Sequence, residues 1–265
     1  WYTETRLAAL ANRAIERTNV LFDALQPPAG EMPVVLAAGT SGVLLHEAIG
    51  HAFEADFVAE GASPYGTGSG NRIAIEEVSL VDDATLAGER GALNVDDEGE
   101  AGRGTVLVRH GRLANLLHDR RTALETPTAT TGNGRRESYR HQPQPRMTCT
   151  YMENGPHETD ELIENMSRGI SVESYTGGTV DIGGGDFRFR VKHGWLVEDG
   201  RRQFPVRDFE IAGNGPQLLS DITLVADDMR LDEGGWTCGK RGQSVPVSHG
   251  MPSVLVSTLG VAPLT

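Results

Sequence analysis

The chain has 265 residues, 38% hydrophobic and 23% charged, which is enough for one large domain or two small ones with a real core. A formal net charge of −13 argues against sequence-independent binding to nucleic acid, which needs a basic surface, and no apolar run approaches the roughly 20 residues of a membrane helix. Two cysteines, Cys149 and Cys238, make no disulfide framework and read as free or metal-bound thiols in a reducing cytoplasm.

In chain order, Leu7, Leu10, Ala14, Leu21 and Leu25 follow a helical stripe, with Arg13, Glu16 and Arg17 on other faces. The spacing predicts a packing helix over 5–25, ended by Pro27, Pro28 and Gly30. Residues 33–37 read as a buried strand. Thr40 or Ser41 is then placed to cap a central helix running to about Phe57, apolar through Leu44, Leu45, Ala48, Ile49, Ala52 and Phe53. The loop 60–71 carries Gly66-x-Gly68-x-Gly70 but lacks the full glycine fingerprint or the Gly-Lys-Ser/Thr ending of a phosphate loop. It reads as a mobile lid or substrate loop.

From residue 73 the chain is β-rich. Residues 78–81 form a strand, and 94–103 have the composition of a calcium loop without its ligand spacing, so they read as a solvated acidic turn. A hairpin is predicted from 105–109 and 112–118 across His110-Gly111. Residues 126–146, with the basic pair Arg135-Arg136, form a long ordered or semi-ordered loop. A strand at 147–152 precedes a short helix capped by Thr159, with Leu162, Ile163 and Met166 inward and Gly169 as its stop. Residues 170–182 give two short strands around Gly177-Gly178. Strands at 187–192, 195–198 and 201–206 are separated by turns at His193-Gly194 and Asp199-Gly200, and more follow at 209–213, 222–226 and 253–259. One α+β domain with an antiparallel meander accounts for this order.

The central helix contains His46-Glu47-Ala48-Ile49-Gly50-His51. The zinc-protease helix, His-Glu-x-x-His, sets its histidines four apart on one face. A five-residue step leaves them roughly 140° apart on a regular α-helix. They converge on one ion only if the helix carries an extra residue, a π-bulge, near Gly50. The competing reading is two satisfied core histidines. A catalytic zinc needs a third protein ligand and an open position for water, and Cys238, Cys149, Glu54, Asp56, His118 and His249 are candidates. Cys238 lies among glycines that permit close backbone approach, near Lys240 and Arg241, which favour a thiolate. Cys149 sits in a strand pattern as a small buried hydrophobe. Glu47 points to a different helical sector from His46, where a carboxylate can take a proton from water and pass it to a leaving amine.

Taken together, these stretches resemble the TldD/PmbA family, in particular its TldD-type catalytic subunit. The matching residues are Met32 to Leu36, Gly42 to His51, Glu54-x-Asp56-Phe57, Asp96-Asp97-Glu98-Gly99, Thr131 to Tyr139, Pro145-Arg146-Met147-Thr148, and Cys238-Gly239-Lys240-x-Gly242-Gln243-Ser244-x-Pro246-Val247. The resemblance implies a metallopeptidase of the HExxxH type, with zinc or another divalent metal such as iron. His46, His51 and Cys238 are then the metal ligands and Glu47 the base. It implies cytoplasmic action on short or unfolded peptides, as a homodimer or as a heterodimer with a PmbA/TldE-type subunit, without nucleic acid or membrane. It also implies that residues 1–265 are the family's C-terminal domain and that the N-terminal α+β domain is absent from this chain. The expected fold is α+β: an antiparallel β-rich domain, with a meander or barrel-like sheet, packed around a central metal-binding helix. An edge of that sheet would align an extended peptide. The alternative is a non-catalytic or regulatory subunit of a TldD/TldE-type complex that keeps a structural metal. Cys149 stands where a polar residue is expected in relatives and receives no role.

Overall fold

A computed structural model describes residues 3–66, 70–181 and 184–264. Alternation builds its larger sheet. Along Asp186–Glu198, Phe187, Phe189 and Val191 are buried while Arg188 and Arg190 face solvent, the period of two that a half-buried strand requires. This strand pairs antiparallel with Arg168–Val180 on one side and with Arg201–Asn214 on the other. Arg201–Asn214 pairs with Val254–Pro263, which pairs with Gly30–Leu36. Gly30–Leu36 returns, in parallel, to Arg168–Val180. Five strands therefore close into a barrel, filled by Phe187, Phe189, Phe209, Ile211 and Val256 among others. Closure needs strands that bend, and register shifts at Val172/Ser174, Tyr175/Gly177 and Arg202/Pro205 supply the bends.

The barrel-like meander expected from the sequence is present, but its strands are longer than expected. Residues 170–182 are not two strands; Arg168–Val180 runs through Gly177-Gly178. His193-Gly194 is no turn but lies inside Asp186–Glu198, and 201–206 and 209–213 are one strand, Arg201–Asn214. Gly178 and Gly194 serve close approach rather than reversal. A Cβ on Gly194 would lie 2.4 Å from the Ser171 carbonyl oxygen, and one on Gly178 would lie 2.5 Å from the Phe189 ring. Asp199-Gly200 is a true hairpin turn, with φ of 49° and 69°.

A second sheet runs in the order Arg230–Leu231, Ser248–Met251, Cys149–Met152, Leu80–Asp83, Gly104–Arg109 and Arg112–Leu113. The predicted hairpin at 105–118 is there, its second strand cut to two residues. Buried Asp82 accepts hydrogen bonds from Thr148 N and Oγ1, Thr150 Oγ1 and Asn133 Nδ2, all at 2.7–2.8 Å, and so fixes the 126–146 loop to this sheet. The acidic stretch 94–103 is the largely solvated turn expected, except at one residue. Asp96 is buried and accepts from the backbone N–H groups of Glu98, Glu100 and Gly134, each at 2.9 Å. Its carboxylate replaces the ladder partners that an irregular loop lacks.

Two helical expectations change. The first helix, Glu4–Asn19, buries none of its residues, and Leu7, Leu10 and Ile15 are about half exposed. A periodic stripe identifies an apolar face but not what covers it. The short helix Thr159–Glu164 begins at Glu158, and the Thr159 hydroxyl donates to Asp228 instead of capping. Gly169 lies in a strand, where a Cβ would stand 2.3 Å from the Pro33 carbonyl oxygen. In the loop 60–71, residues 67–69 lie outside the described residues, and with them the glycine reading; Tyr65 stacks on Phe53 at 4.8 Å. No helix among the described residues is long and apolar enough to cross a membrane.

Candidate metal centre

The expected central helix is broken into four pieces. Gly42–Leu44 is a single α-turn, Leu45–Ile49 a π-turn and Gly50–Phe53 a 3₁₀ turn; Ala55–Ala59 resumes α after Glu54 turns extended at ψ 122°. The Gly50 N–H reaches the Leu45 carbonyl five residues back, so five residues complete one turn. His46 and His51 are thereby brought to one side, edge to face, with ring centroids 5.1 Å apart. The bulge predicted from the histidine spacing is present, but Ile49 takes the unusual backbone, φ −124° and ψ −49°, whereas Gly50 is helical. Gly50 is needed for room: a Cβ there would lie 2.4 Å from Met147 Sδ. Burial of Leu44, Leu45, Ile49 and Phe53 in the main core holds the distorted segment, at about 1.5–3 kcal/mol for each side chain. Ser41 makes no side-chain cap; its hydroxyl lies 3.0 Å from Tyr175 Oη.

Cys238 arrives on a hairpin, Thr237–Lys240 paired with Gln243–Pro246 across Arg241-Gly242, both at positive φ. The period of two turns Cys238 and Lys240 to the same buried side. Two buried arginines fasten this hairpin to the body. Arg146 donates to the Cys238 carbonyl at 2.8 Å, and Arg135 donates to the Pro246 carbonyl at 2.7 Å. The sequence singled out Arg135-Arg136 only as a basic pair; the structure makes Arg135 a tie, while Arg136 pairs with Asp97.

His46, His51 and Cys238 come together, all buried, with one donor atom from each lying within 4.8 Å of the others. Cys238 Sγ is 3.3 Å from His51 Nε2. His51 Nδ1 lies 2.8 Å from Glu54 Oε2, and Lys240 Nζ donates to that same oxygen at 3.0 Å, to Asp56 Oδ1 at 2.8 Å and to the Pro145 carbonyl at 2.9 Å. The Lys240 ammonium also lies over the Phe57 ring, 4.4 Å from its centroid. Both ring nitrogens of His46 are buried without a hydrogen-bond partner. A polar group is rarely left so, because an unmet buried donor or acceptor costs about 1–3 kcal/mol.

The electrostatics split the two histidines. Burial, then the neighbouring His51 and His249, push His46 well below its ordinary value, so it is neutral with a lone pair to offer. Burial also opposes charge on His51, but the Glu54 carboxylate and the hydrogen bonds to Cys238 and Glu54 lift it to about 10. Burial likewise opposes ionisation of Glu54, and His51 and Lys240 overcome it, taking the carboxyl to about 2. Glu47 differs: its side chain is 39% exposed, and its Oε2 lies 3.8 Å from His51 Nε2. Partial burial raises its carboxyl above the ordinary value, against the pull of His51.

Of the other residues considered as ligands, Glu54 and Asp56 serve the Lys240 network, Cys149 is a free thiol buried in its strand, and His118 binds Thr122. His249 lies 5.7 Å from His46, ring to ring. Sequence reasoning did not single out Lys240 as a partner of Glu54, although the Cys-x-Lys alternation carried that signal.

Glu47 opens onto a cleft of about 350 Å³ shared with Val43, Tyr175, Gly177, Phe189 and Trp236. One wall is a strand edge. Arg168–Val180 pairs with Gly30–Leu36 only through Ile170–Val172. Beyond it, 174–180 pair with Asp186–Glu198 alone among the described residues, and 176–179 are exposed.

Residues 29–263 match the PmbA/TldA metallopeptidase C-terminal domain. A metalloprotease TldD homolog of Haemophilus influenzae is 40% identical over 266 residues, covering 98% of this chain and 55% of that protein. A zinc metalloprotease TldD homolog of Saccharolobus solfataricus is 35% identical, covering 89% of this chain and 52% of that protein. Among solved structures, TldE from Thermococcus kodakarensis superposes with a TM-score of 0.75 at 21% identity, over 96% of this chain and 55% of that one, a likeness of fold alone. The chain spans about half the length of the curated relatives it matches.

Proposed function

We propose a zinc-dependent peptidase, starting from the fact that the chain belongs to the PmbA/TldD metallopeptidase family. The observation that carries the reading is the pair of unpartnered His46 nitrogens, buried beside His51 and Cys238. Two imidazoles and a thiolate are a donor set suited to zinc, and among the described residues the three converge without a fourth His, Cys, Asp or Glu in the group. The residues therefore fit the ion: His46, His51 and Cys238 would hold it. When bound, zinc supplies a Lewis acid that polarises a carbonyl and makes water more acidic.

The chain's own groups do the rest. Glu47, at the mouth of the cleft, takes a proton from the attacking water as its oxygen bonds to the scissile carbonyl carbon. It then delivers that proton to the amide nitrogen as the C–N bond breaks, leaving a carboxylic acid and an amine, which become carboxylate and ammonium by transfer of the acid's proton, and returning Glu47 to its ionised form. Its raised carboxyl suits both halves of that exchange. Glu54 holds the His51 ring by its other nitrogen, and Lys240 holds Glu54. The open edge at 174–180 receives an extended stretch of substrate as an added strand, which reads backbone rather than sequence and selects short or unfolded peptides. The fold shared with a TldE supports a paired assembly, either with a TldE-type subunit or with a second copy.

Glu47→Gln should keep zinc and abolish cleavage of unstructured peptides. Undiminished cleavage by that variant would sink the peptidase reading. A wild-type protein that holds zinc tightly but cleaves nothing would favour a non-catalytic subunit with a structural metal, against which the exposure of Glu47 to the cleft already weighs.

A further inference from the structure

His249 sits in the middle of Ser248–Met251, a strand buried at every position. It is 1% exposed, and neither ring nitrogen has a hydrogen-bond partner. Its ring lies between two others, the Trp236 indole at 4.8 Å and the His46 imidazole at 5.7 Å, centroid to centroid. One edge is pressed against the motif segment: a Cβ on Gly42 would lie 2.8 Å from His249 Nδ1. An aliphatic side chain would fill this place without the cost of about 1–3 kcal/mol for an unmet polar group. A side chain at position 42 would collide both with this ring and with the Gly250 backbone, at 2.7 Å, so the motif segment and the His249 strand are in close contact. Such an arrangement is expected where a polar group waits for a partner that arrives with the substrate.

We propose that His249 is a further catalytic residue, one that donates a hydrogen bond to the scissile carbonyl oxygen as negative charge develops on it. The proposal rests on the peptidase reading of the His46/His51/Cys238 site. His249 stands outside the group whose donor atoms lie within 4.8 Å of one another, so it flanks that group rather than belonging to it. It makes no direct hydrogen bond to His46, which separates it from the Glu54–His51 arrangement, where a partner orients a ring. An imidazole carries an N–H in its neutral and in its charged form, so the ring can donate in either. A fixed donor in a dry site is worth most when the acceptor gains charge, because nothing reorganises at that moment. The Trp236 indole packs tilted against the ring. Its indole N–H is held by Asp232 at 3.0 Å, and its face lines the same cleft as Glu47.

The test compares His249→Gln and His249→Phe with wild type in the zinc-loaded protein. Gln keeps an N–H donor; Phe keeps a ring and removes the donor. Three quantities are read: bound zinc per chain, kcat and KM on a fluorogenic unstructured peptide, and the affinity of a phosphinic pseudopeptide of the same sequence, whose tetrahedral phosphorus mimics the attacked carbon. Zinc content and KM should stay at wild-type values. For Phe, kcat should fall about 10²- to 10³-fold, the loss typical of one such donor. The phosphinic affinity should fall by a similar factor, and Gln should recover part of both. Loss of zinc in both variants would instead make His249 a support for His46 and overturn the proposal, as would phosphinic affinity unchanged by either substitution. Zinc content and phosphinic binding need no turnover, so these outcomes stay distinct from a failure of the peptidase reading, which Glu47→Gln reports.

Discussion

Lys240 meets Glu54 at 3.0 Å from 186 positions away in the chain, and both are almost wholly buried. Burial alone would raise the carboxyl's proton affinity; His51 and then the ammonium hold it down. The hairpin that carries Cys238 thus also supplies one of the two cations that keep Glu54 ionised.

Removing that support should loosen the metal without touching a ligand. Glu54→Gln is expected to weaken zinc binding about 10- to 100-fold, the usual effect of an outer-shell partner, measured by competition with a chromogenic chelator. Lys240→Met should do the same and also cost roughly 3–5 kcal/mol of stability, because two buried carboxylates lose the ammonium they share, with only His51 left to Glu54 and Arg241 to Asp56. Zinc affinity unchanged in Glu54→Gln would show that the carboxylate does not act through His51.

The π-turn depends on room at position 50. Gly50→Ala should destabilise by about 1–3 kcal/mol, as overpacking does, because the new methyl collides with Met147 Sδ. In a Met147→Ala background the penalty should shrink, a coupling that a double-mutant cycle from urea unfolding would detect. An equal penalty in both backgrounds would rule out the collision as its cause.

Stability of the metal-free protein should have an acid and an alkaline limb. His249 is held down at about 4 against an ordinary 6.5; its contribution is complete above pH 6.5 and is lost as pH falls through 4. Glu54, at about 2 against 4.5, extends the acid loss from pH 4.5 towards 2. His51 works in the opposite sense: raised to about 10, it contributes fully below pH 6.5 and its contribution disappears as pH rises through 10. Urea midpoints measured from pH 3 to 10 check this. His249→Gln should flatten the decline between pH 6.5 and 4, and a slope there equal to wild type would contradict the assignment.

A substrate paired to the edge at 174–180 would use its backbone N–H groups at every second residue. Peptides N-methylated at single positions should therefore alternate between weakened and unaffected. Each lost hydrogen bond is worth about 0.5–1.5 kcal/mol, a rise of several-fold in KM. A uniform effect at all positions would argue against strand pairing.

The meeting of the two histidines was legible because it rests on local spacing. A five-residue step from His46 to His51 requires a π-turn if the rings are to meet, and the π-turn is present. Strand pattern was legible where charge and apolar residues alternate, as in Phe187 to Lys192. It misled where glycine had two meanings. Gly178 and Gly194 sit in continuous strands because Phe189 and Ser171 crowd them, a cause that lies in the neighbouring strand and leaves no mark in local sequence. The buried role of Asp96 was hidden for the same reason: its partners include Gly134, in a distant loop.

The two ends of the centre are 187 positions apart, and the thiol reaches His51 only after its hairpin is fastened by Arg135 and Arg146. Contacts of such long range form late, since the chain must first lose the entropy of a large loop. The three donor atoms are therefore brought together among the last contacts of the fold. A half-made copy holds both histidines on one turn without the thiol, so the donor set is a property of the finished fold and not of the local motif.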